Sequence, residues 1–263
     1  AALGYSTSVI HVYSIGPFIE PLQQAFGWSR AQISIGLTIS SFISAIFCIP
    51  VGILVDRTGP RRVGLIGVLL ISAAFGLLGT MTGTMANWAA LWVIVAFGAL
   101  GVQATVWTSA VASRFEASRG LAFAVTLSGA SLSAAVFPVL ATWLIGAYGW
   151  RIAFGAMGGI WAALVFPFLL LCFRGARDDG ARKHATTTSP AKVLKGVTLS
   201  QGLRSRTLYK LLMASGLFSF TAIGAVVHFV PILTDSGAAP LAAAGIAALV
   251  GIVNYLGMRY YKR

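Results

Sequence analysis

The chain has 263 residues, of which 57% are hydrophobic and only 10% charged, and it carries a formal net charge of +13. A soluble domain holds about 25% charged residues, so this much apolar surface needs lipid as its solvent, and a soluble globular class is excluded. Cys48 and Cys172 both lie in apolar runs and offer neither disulfide nor metal-ligand spacing.

Apolar runs of roughly 20 residues, the length that crosses a bilayer core as a helix, follow one another along the chain. We read eight spans: 3–23, 30–55, 62–83, 88–113, 119–146, 150–173, 207–232 and 239–258. Backbone groups in lipid must be satisfied within the segment, so each run is expected to be a helix. The fold class is therefore all-α integral membrane. The start lacks an initiator Met and has no basic region with a cleavage site, which suggests a trimmed start rather than a signal peptide.

Ser29 and Gln32 open the second span with the S-x-x-Q form of a capping box, and Trp28 with Ile33 fits a hydrophobic staple. Pro17, Pro50 and Pro138 fall inside spans, as membrane helices tolerate. Small residues recur four apart at Gly36, Ser40 and Ser44, and again at Gly101, Thr105 and Ser109, giving faces on which helices can approach closely.

Charge placement sets the orientation. With the N-terminus cytoplasmic, 17 Lys and Arg lie inside, in the loops around 57–62, 114–119 and 174–210 and in the tail, against Arg30 and Arg151 outside. The positive-inside rule then places both termini in the cytoplasm of a cell (inner) membrane. It also accounts for the net charge without nucleic acid. The polar stretch 174–206 divides six spans from two, so the expected organisation is a six-helix bundle over 1–173, a cytoplasmic loop over 174–206, and two helices with a basic tail over 207–263.

The most specific motif joins the second and third spans: Gly52-Ile53-Leu54-Val55-Asp56-Arg57-Thr58-Gly59-Pro60-Arg61-Arg62. Its glycines permit a tight turn, and three arginines surround one aspartate. It resembles the major facilitator superfamily signature G-x-L-x-D-R-x-G-x-R-R. The resemblance implies a fold of two six-helix halves joined by a long cytoplasmic loop, here a complete first half plus about two helices of the second. It also implies that Asp56, Arg57 and Arg61 belong to a charge network closing the cytoplasmic side, with Gly52, Gly59 and Arg62 completing the gate motif. Arg114 and Arg119 flank the second cytoplasmic loop.

Further stretches, among them Phe26-Gly27-Trp28-Ser29-Arg30, Gly149-Trp150-Arg151 and Val227-His228-Phe229-Val230-Pro231, resemble the monocarboxylate-transporter-like and oxalate/formate-antiporter-like branch over about residues 1–251. From Tyr255 to Arg263 the chain reads as an unrelated basic tail, so a truncated second half is expected. Many drug/proton antiporters of the superfamily carry an arginine in the fourth helix, and no Lys or Arg occurs between Asn87 and Ser113.

Polar groups inside a span are costly and are functional candidates. The resemblance implies a cavity lined by the first and fourth helices and their counterparts in the second half, the seventh and tenth, which nominates His11, Tyr13, Gln103, Trp107 and His228 for the substrate pathway. Each also has a packing role open to it. An unperturbed imidazole titrates near about 6.5, which suits proton coupling. No cation lies within the eighth span to meet a substrate carboxylate. The expected function is secondary transport of small organic anions such as monocarboxylates, by alternating access, with a proton or counter-anion as the coupled species. Another solute on the same fold, or a non-transporting remnant, stays open. HExxH, GxSxG, paired intramembrane carboxylates and a P-loop are all missing, so neither an enzyme, a metal site nor a cofactor is expected.

Overall fold

The computed structural model describes residues 1–115, 119–173 and 204–260. Among them are ten α-helices and no strand: α1 (Ala2–Ser8), α2 (Ile10–Phe26), α3 (Arg30–Thr58), α4 (Pro60–Leu77), α5 (Met85–Leu100), α6 (Ala104–Ala112), α7 (Arg119–Leu127), α8 (Gly129–Cys172), α9 (Arg206–Asp235) and α10 (Pro240–Tyr260). A 3₁₀ turn at Leu78–Thr80 extends α4. Most of the expected loop 174–206, and the tail residues 261–263, lie outside the described residues.

Ten helices make eight spans. The pairs α1–α2 and α5–α6 are each one span with a break. Five continuous stretches are long and apolar enough to cross a membrane, and one of them, Arg119–Cys172, has 54 residues. That stretch is two spans. Gly149, at φ 79° and ψ 160°, leaves helical geometry inside α8. The rings of Phe137 and Trp161 then stand 4.6 Å apart, whereas a straight helix would separate them by about 36 Å. The two residues are equidistant in sequence from Gly149, so the chain reverses at that single glycine, with no loop.

The spans pack as helices in lipid pack, through close backbone approach and buried hydrogen bonds rather than through exclusion of water. Of the 29 residues of α3, those buried are Ile33, Gly36, Ser40 and Val55. The first three form one stripe, and Phe42 and Ile49 point away from the protein at 67% and 71% exposure. Gly36 lies against the Trp92 indole, and a Cβ there would overlap the ring. The core of the first six spans is aromatic: Trp88, Trp92, Trp107, Phe18, Phe75, Phe137 and Phe154 are fully buried, with Phe18 and Phe154 stacked at 3.8 Å.

The second small-residue face does not persist as one surface. Gly101 abuts Gly67, and a Cβ on Gly101 would come 2.7 Å from the Gly67 Cα. Thr105, however, is exposed. The reason is the interruption between Leu100 and Ala104, which shifts the helical phase after Gly101.

Candidate substrate pathway and gate

The gate motif runs from the last turn of α3 into α4 through one residue. Gly59 ends the first helix and precedes the second, at φ 89° and ψ 147°. Only glycine adopts that backbone without strain, and Pro60 follows at the first helical position, where its missing N–H costs nothing. The Gly59 N–H donates to the Val55 carbonyl at 2.9 Å. Asp56, Arg57 and Arg62 are exposed, and Gly52 is partly buried within α3. Arg61 reaches across to the end of α8, where its Nη2 donates to the Leu170 carbonyl at 2.8 Å. A guanidinium there meets both a free carbonyl and the negative end of a helix dipole. No salt bridge to Asp56 is found among the described residues.

Arg119 acts in a similar way at the next loop on this face. Its guanidinium donates to the carbonyls of Phe115 and Ala112, both at 3.2 Å, capping the end of α6. Arg114 is exposed beside it. These arginines together define one basic face of the molecule.

Two spans are interrupted towards that face. At Val9 (φ −112°, ψ 10°) α1 passes into α2. The freed carbonyl of Ser6 accepts from Ser133 Oγ at 2.7 Å, and Thr7 Oγ1 accepts from the Trp161 indole at 3.0 Å. The break between α5 and α6 is held by Trp107, whose indole N–H donates to the Val102 carbonyl at 2.8 Å. Both breaks are therefore satisfied inside protein, as lipid requires.

Of the five side chains nominated for the pathway, Tyr13 lines a cavity between the first six spans and the last two. That cavity has a volume of about 160 Å³. Its walls are Tyr13, Gly16 and Pro17 on α2, Ala134 and Pro138 on α8, Ala225, Val226, Phe229 and Val230 on α9, and Ala247 on α10. They carry no charge. His11 points the other way, into the bundle: it is 8% exposed, its Nε2 lies 3.4 Å from Ser40 Oγ, and its ring stands edge-on to Trp92. Its Nδ1 has no hydrogen-bond partner among the described residues. Trp107 is also inside the bundle, wedged between Gly4 and Gly64. Gln103 sits at the N-cap of α6 without a side-chain capping bond. His228 is partly buried on α9 between residues that line the cavity.

A second cavity, of about 510 Å³, lies wholly among the first six spans at the basic face, with Leu3, Phe115, Val125 and Phe168 in its walls. Motion between the six spans and the last two would neither open nor close it, so the smaller cavity is the better pathway candidate.

At the face opposite the arginines the two groups of spans are in contact. A Cβ on Gly16 would lie 2.8 Å from the Val227 carbonyl oxygen. Arg30 forms a salt bridge with Asp235 at 2.7 Å. Val227, Val230 and Pro231 are buried, while α9 has no buried residue from 206 to 226. On α9 the contact is thus confined to one end, while α10 packs against α8 as a second contact between the two groups. On the same face Arg151 donates to the carbonyls of Gly79 and Met81 at 3.1 and 2.9 Å and lies over the Trp150 ring at 4.2 Å.

Sequence reasoning missed Gly16, Phe229 and the pairing of Arg30 with Asp235. The signal for the cavity was a stripe: Tyr13, Gly16 and Pro17 fall at i, i+3 and i+4, as do Val226, Phe229 and Val230.

Comparisons with known proteins agree with this architecture. The riboflavin transporter RibJ of Trypanosoma cruzi is 30% identical over 142 residues, which is 54% of this chain and 30% of that protein. RibJ of Trypanosoma brucei brucei is 28% identical over 162 residues, 60% of this chain and 29% of the relative. The uncharacterized MFS-type transporter YcxA of Bacillus subtilis is 25% identical over 227 residues, 83% of this chain and 52% of its own. The chain thus spans between 29% and 52% of the length of these curated relatives. The profile of the Major Facilitator Superfamily matches residues 1–263, past Gly251, where the resemblance was expected to stop. With eight apolar helical spans, a glycine-hinged Asp/Arg motif at one face and a cavity between two groups of spans, the chain belongs to the Major Facilitator Superfamily.

Proposed function

We propose that the protein is part of a permease for small organic anions such as monocarboxylates, working by alternating access with a proton or a counter-anion as the coupled species. On this reading the basic face is cytoplasmic, both ends of the chain lie in the cytoplasm, and the membrane is the cell (inner) membrane. The bundle 1–173 and the helices from 207 onward act as parts of two halves joined by the loop 174–206. The observation that carries the reading is the cavity beside Tyr13. It lies between the two groups of spans, where α9 meets the first six at one end and not at the other and α10 packs along α8. Rocking about such a contact is what alternating access requires.

The cavity chemistry narrows the solute. An apolar cavity near 150 Å³ accommodates about one benzene-sized ring, so the 160 Å³ beside Tyr13 suits a compact apolar body. The Tyr13 hydroxyl is the polar handle among the lining side chains and can donate to a carboxylate oxygen. Asp56, Arg57 and Arg61 serve the cytoplasmic gate, with Gly52, Gly59 and Arg62 shaping its turn and Arg114 and Arg119 fixing the next loop. His11, with one ring nitrogen unpartnered, is the candidate proton carrier. Trp107 holds the fourth span's break, and Gln103 beside it and His228 on α9 are further candidates for contact with the substrate.

A second reading, transport of a flat heteroaromatic solute, draws on the riboflavin transporters among the relatives and on the aromatic faces of Tyr13 and Phe229. The cavity volume favours one ring over a fused three-ring flavin. Substrate counterflow with a panel of branched and aromatic monocarboxylates, plus riboflavin, separates the two. Exchange of a monocarboxylate that weakens in Tyr13→Phe supports the first reading. Exchange of riboflavin alone supports the second and overturns the first.

A further inference from the structure

Arg30 is the first residue of α3 and Asp235 the last of α9. Each is misplaced on its own helix. A cation in the first turn and an anion in the last both oppose the helix dipole. Across the contact the misfit reverses. Arg30 Nη2 lies 2.7 and 2.9 Å from the two carboxylate oxygens of Asp235. The carboxylate then faces the positive end of α3, and the guanidinium faces the negative end of α9. Both positions are fixed by their own helix ends. Ser29 and Gln32 complete a capping box before Arg30. The turn after Asp235 closes through bonds from the Ser236 and Gly237 backbones to Ile232 and Thr234, at 3.1 and 2.9 Å.

The two arginines of this face divide the work. Arg151 binds carbonyls and a ring within the first six spans. Arg30 reaches to the seventh span, 205 residues away in sequence. Gly16, which meets Val227, lies in the wall of the Tyr13 cavity itself, and the pair closes the cleft beyond it, at the start of α3 and the end of α9.

We propose that Arg30 and Asp235 form a latch between the halves that holds the outer mouth of the pathway shut and sets how often it opens; this rests on the alternating-access reading above. The side chains are 39% and 57% exposed, so solvent screens the attraction, and the latch is weak enough to release in a transport cycle. Losing it, with its dipole terms, raises the outer-open population roughly two- to tenfold.

The test reads opening without transport, so it can fail while the substrate assignment stands, and the reverse. Val226→Cys, on the cavity wall, is placed in the full chain with Cys48→Ala and Cys172→Ala. A membrane-impermeant maleimide is added from outside to right-side-out vesicles. Arg30→Ala and Asp235→Ala each raise the labelling rate two- to tenfold, and the exchange Arg30→Asp with Asp235→Arg returns it most of the way to the parent's rate. High salt raises the parent's rate and leaves the single variants nearly unchanged. If a single variant does not accumulate, Arg30→Lys, which keeps the charge, gives a smaller rise. Single variants labelling at the parent's rate, or an exchange as open as the singles, overturn the proposal.

Discussion

Replacing Gly16 by alanine adds one methyl group between two backbones. The new Cβ would lie 2.8 Å from the Val227 carbonyl oxygen, 3.8 Å from its carbonyl carbon and 3.9 Å from Pro231 Cδ. The oxygen belongs to the main chain and cannot rotate away, so α2 and α9 must separate by about half an ångström where Gly16 meets Val227. Overpacking of this kind costs about 1–3 kcal/mol. The penalty falls on the arrangement in which α2 and α9 touch, and not on one in which they part. The closed-to-open ratio should then fall roughly 5- to 150-fold. The assay is outside labelling of Val226→Cys, as for the latch. Gly159→Ala is the control, because nothing lies within 4 Å of a Cβ built there. A large rise for Gly16→Ala with none for Gly159→Ala is expected. Equal rates for both variants would refute the contact of Gly16 with Val227.

Other outcomes follow from buried polar contacts. Ser133→Ala strands the Ser6 carbonyl at the break in the first span and should lower stability by about 0.6–1.7 kcal/mol, read as a drop in the thermal unfolding midpoint in detergent; Ser8→Ala, whose hydroxyl bonds only within its own turn, should not. Arg151→Ala removes two carbonyl partners and the stacking on Trp150, costing about 2–4 kcal/mol. The same thermal assay should show a larger drop than for Ser133→Ala.

Much of the fold was legible because lipid makes span length a direct read-out of hydrophobicity. The capping box was legible in detail: Ser29 Oγ accepts from the Gln32 N–H at 3.2 Å, and Gln32 Oε1 accepts from the Ser29 N–H at 2.8 Å. The reversal at Gly149 was legible as a gap between spans, though not as a turn of one residue. The breaks at Val9 and after Leu100 were not legible. Val9 is an ordinary helix residue, and what stabilises its break is supplied from 133 and 161, far along the chain.

The pathway was harder to read because both faces of each span are apolar, so periodicity alone does not fix which face turns inward. His11 and Tyr13 differ by two residues, about 200° around a helix, and so point to opposite sides. One sits inside the bundle beside Ser40 and Trp92, and the other faces the cavity. Arg30 stood out in sequence only as an outer charge, because its meaning depends on Asp235, a partner 205 positions away.

Transport itself is the central claim. The most direct measurement is uptake of labelled small carboxylates into vesicles carrying the purified protein, with and without an imposed pH gradient, for the parent and Asp56→Asn. The account predicts gradient-driven uptake that falls at least tenfold in Asp56→Asn while the variant's thermal midpoint is unchanged. Folded protein that carries no carboxylate under any gradient, or an Asp56→Asn variant that transports like the parent, would contradict it.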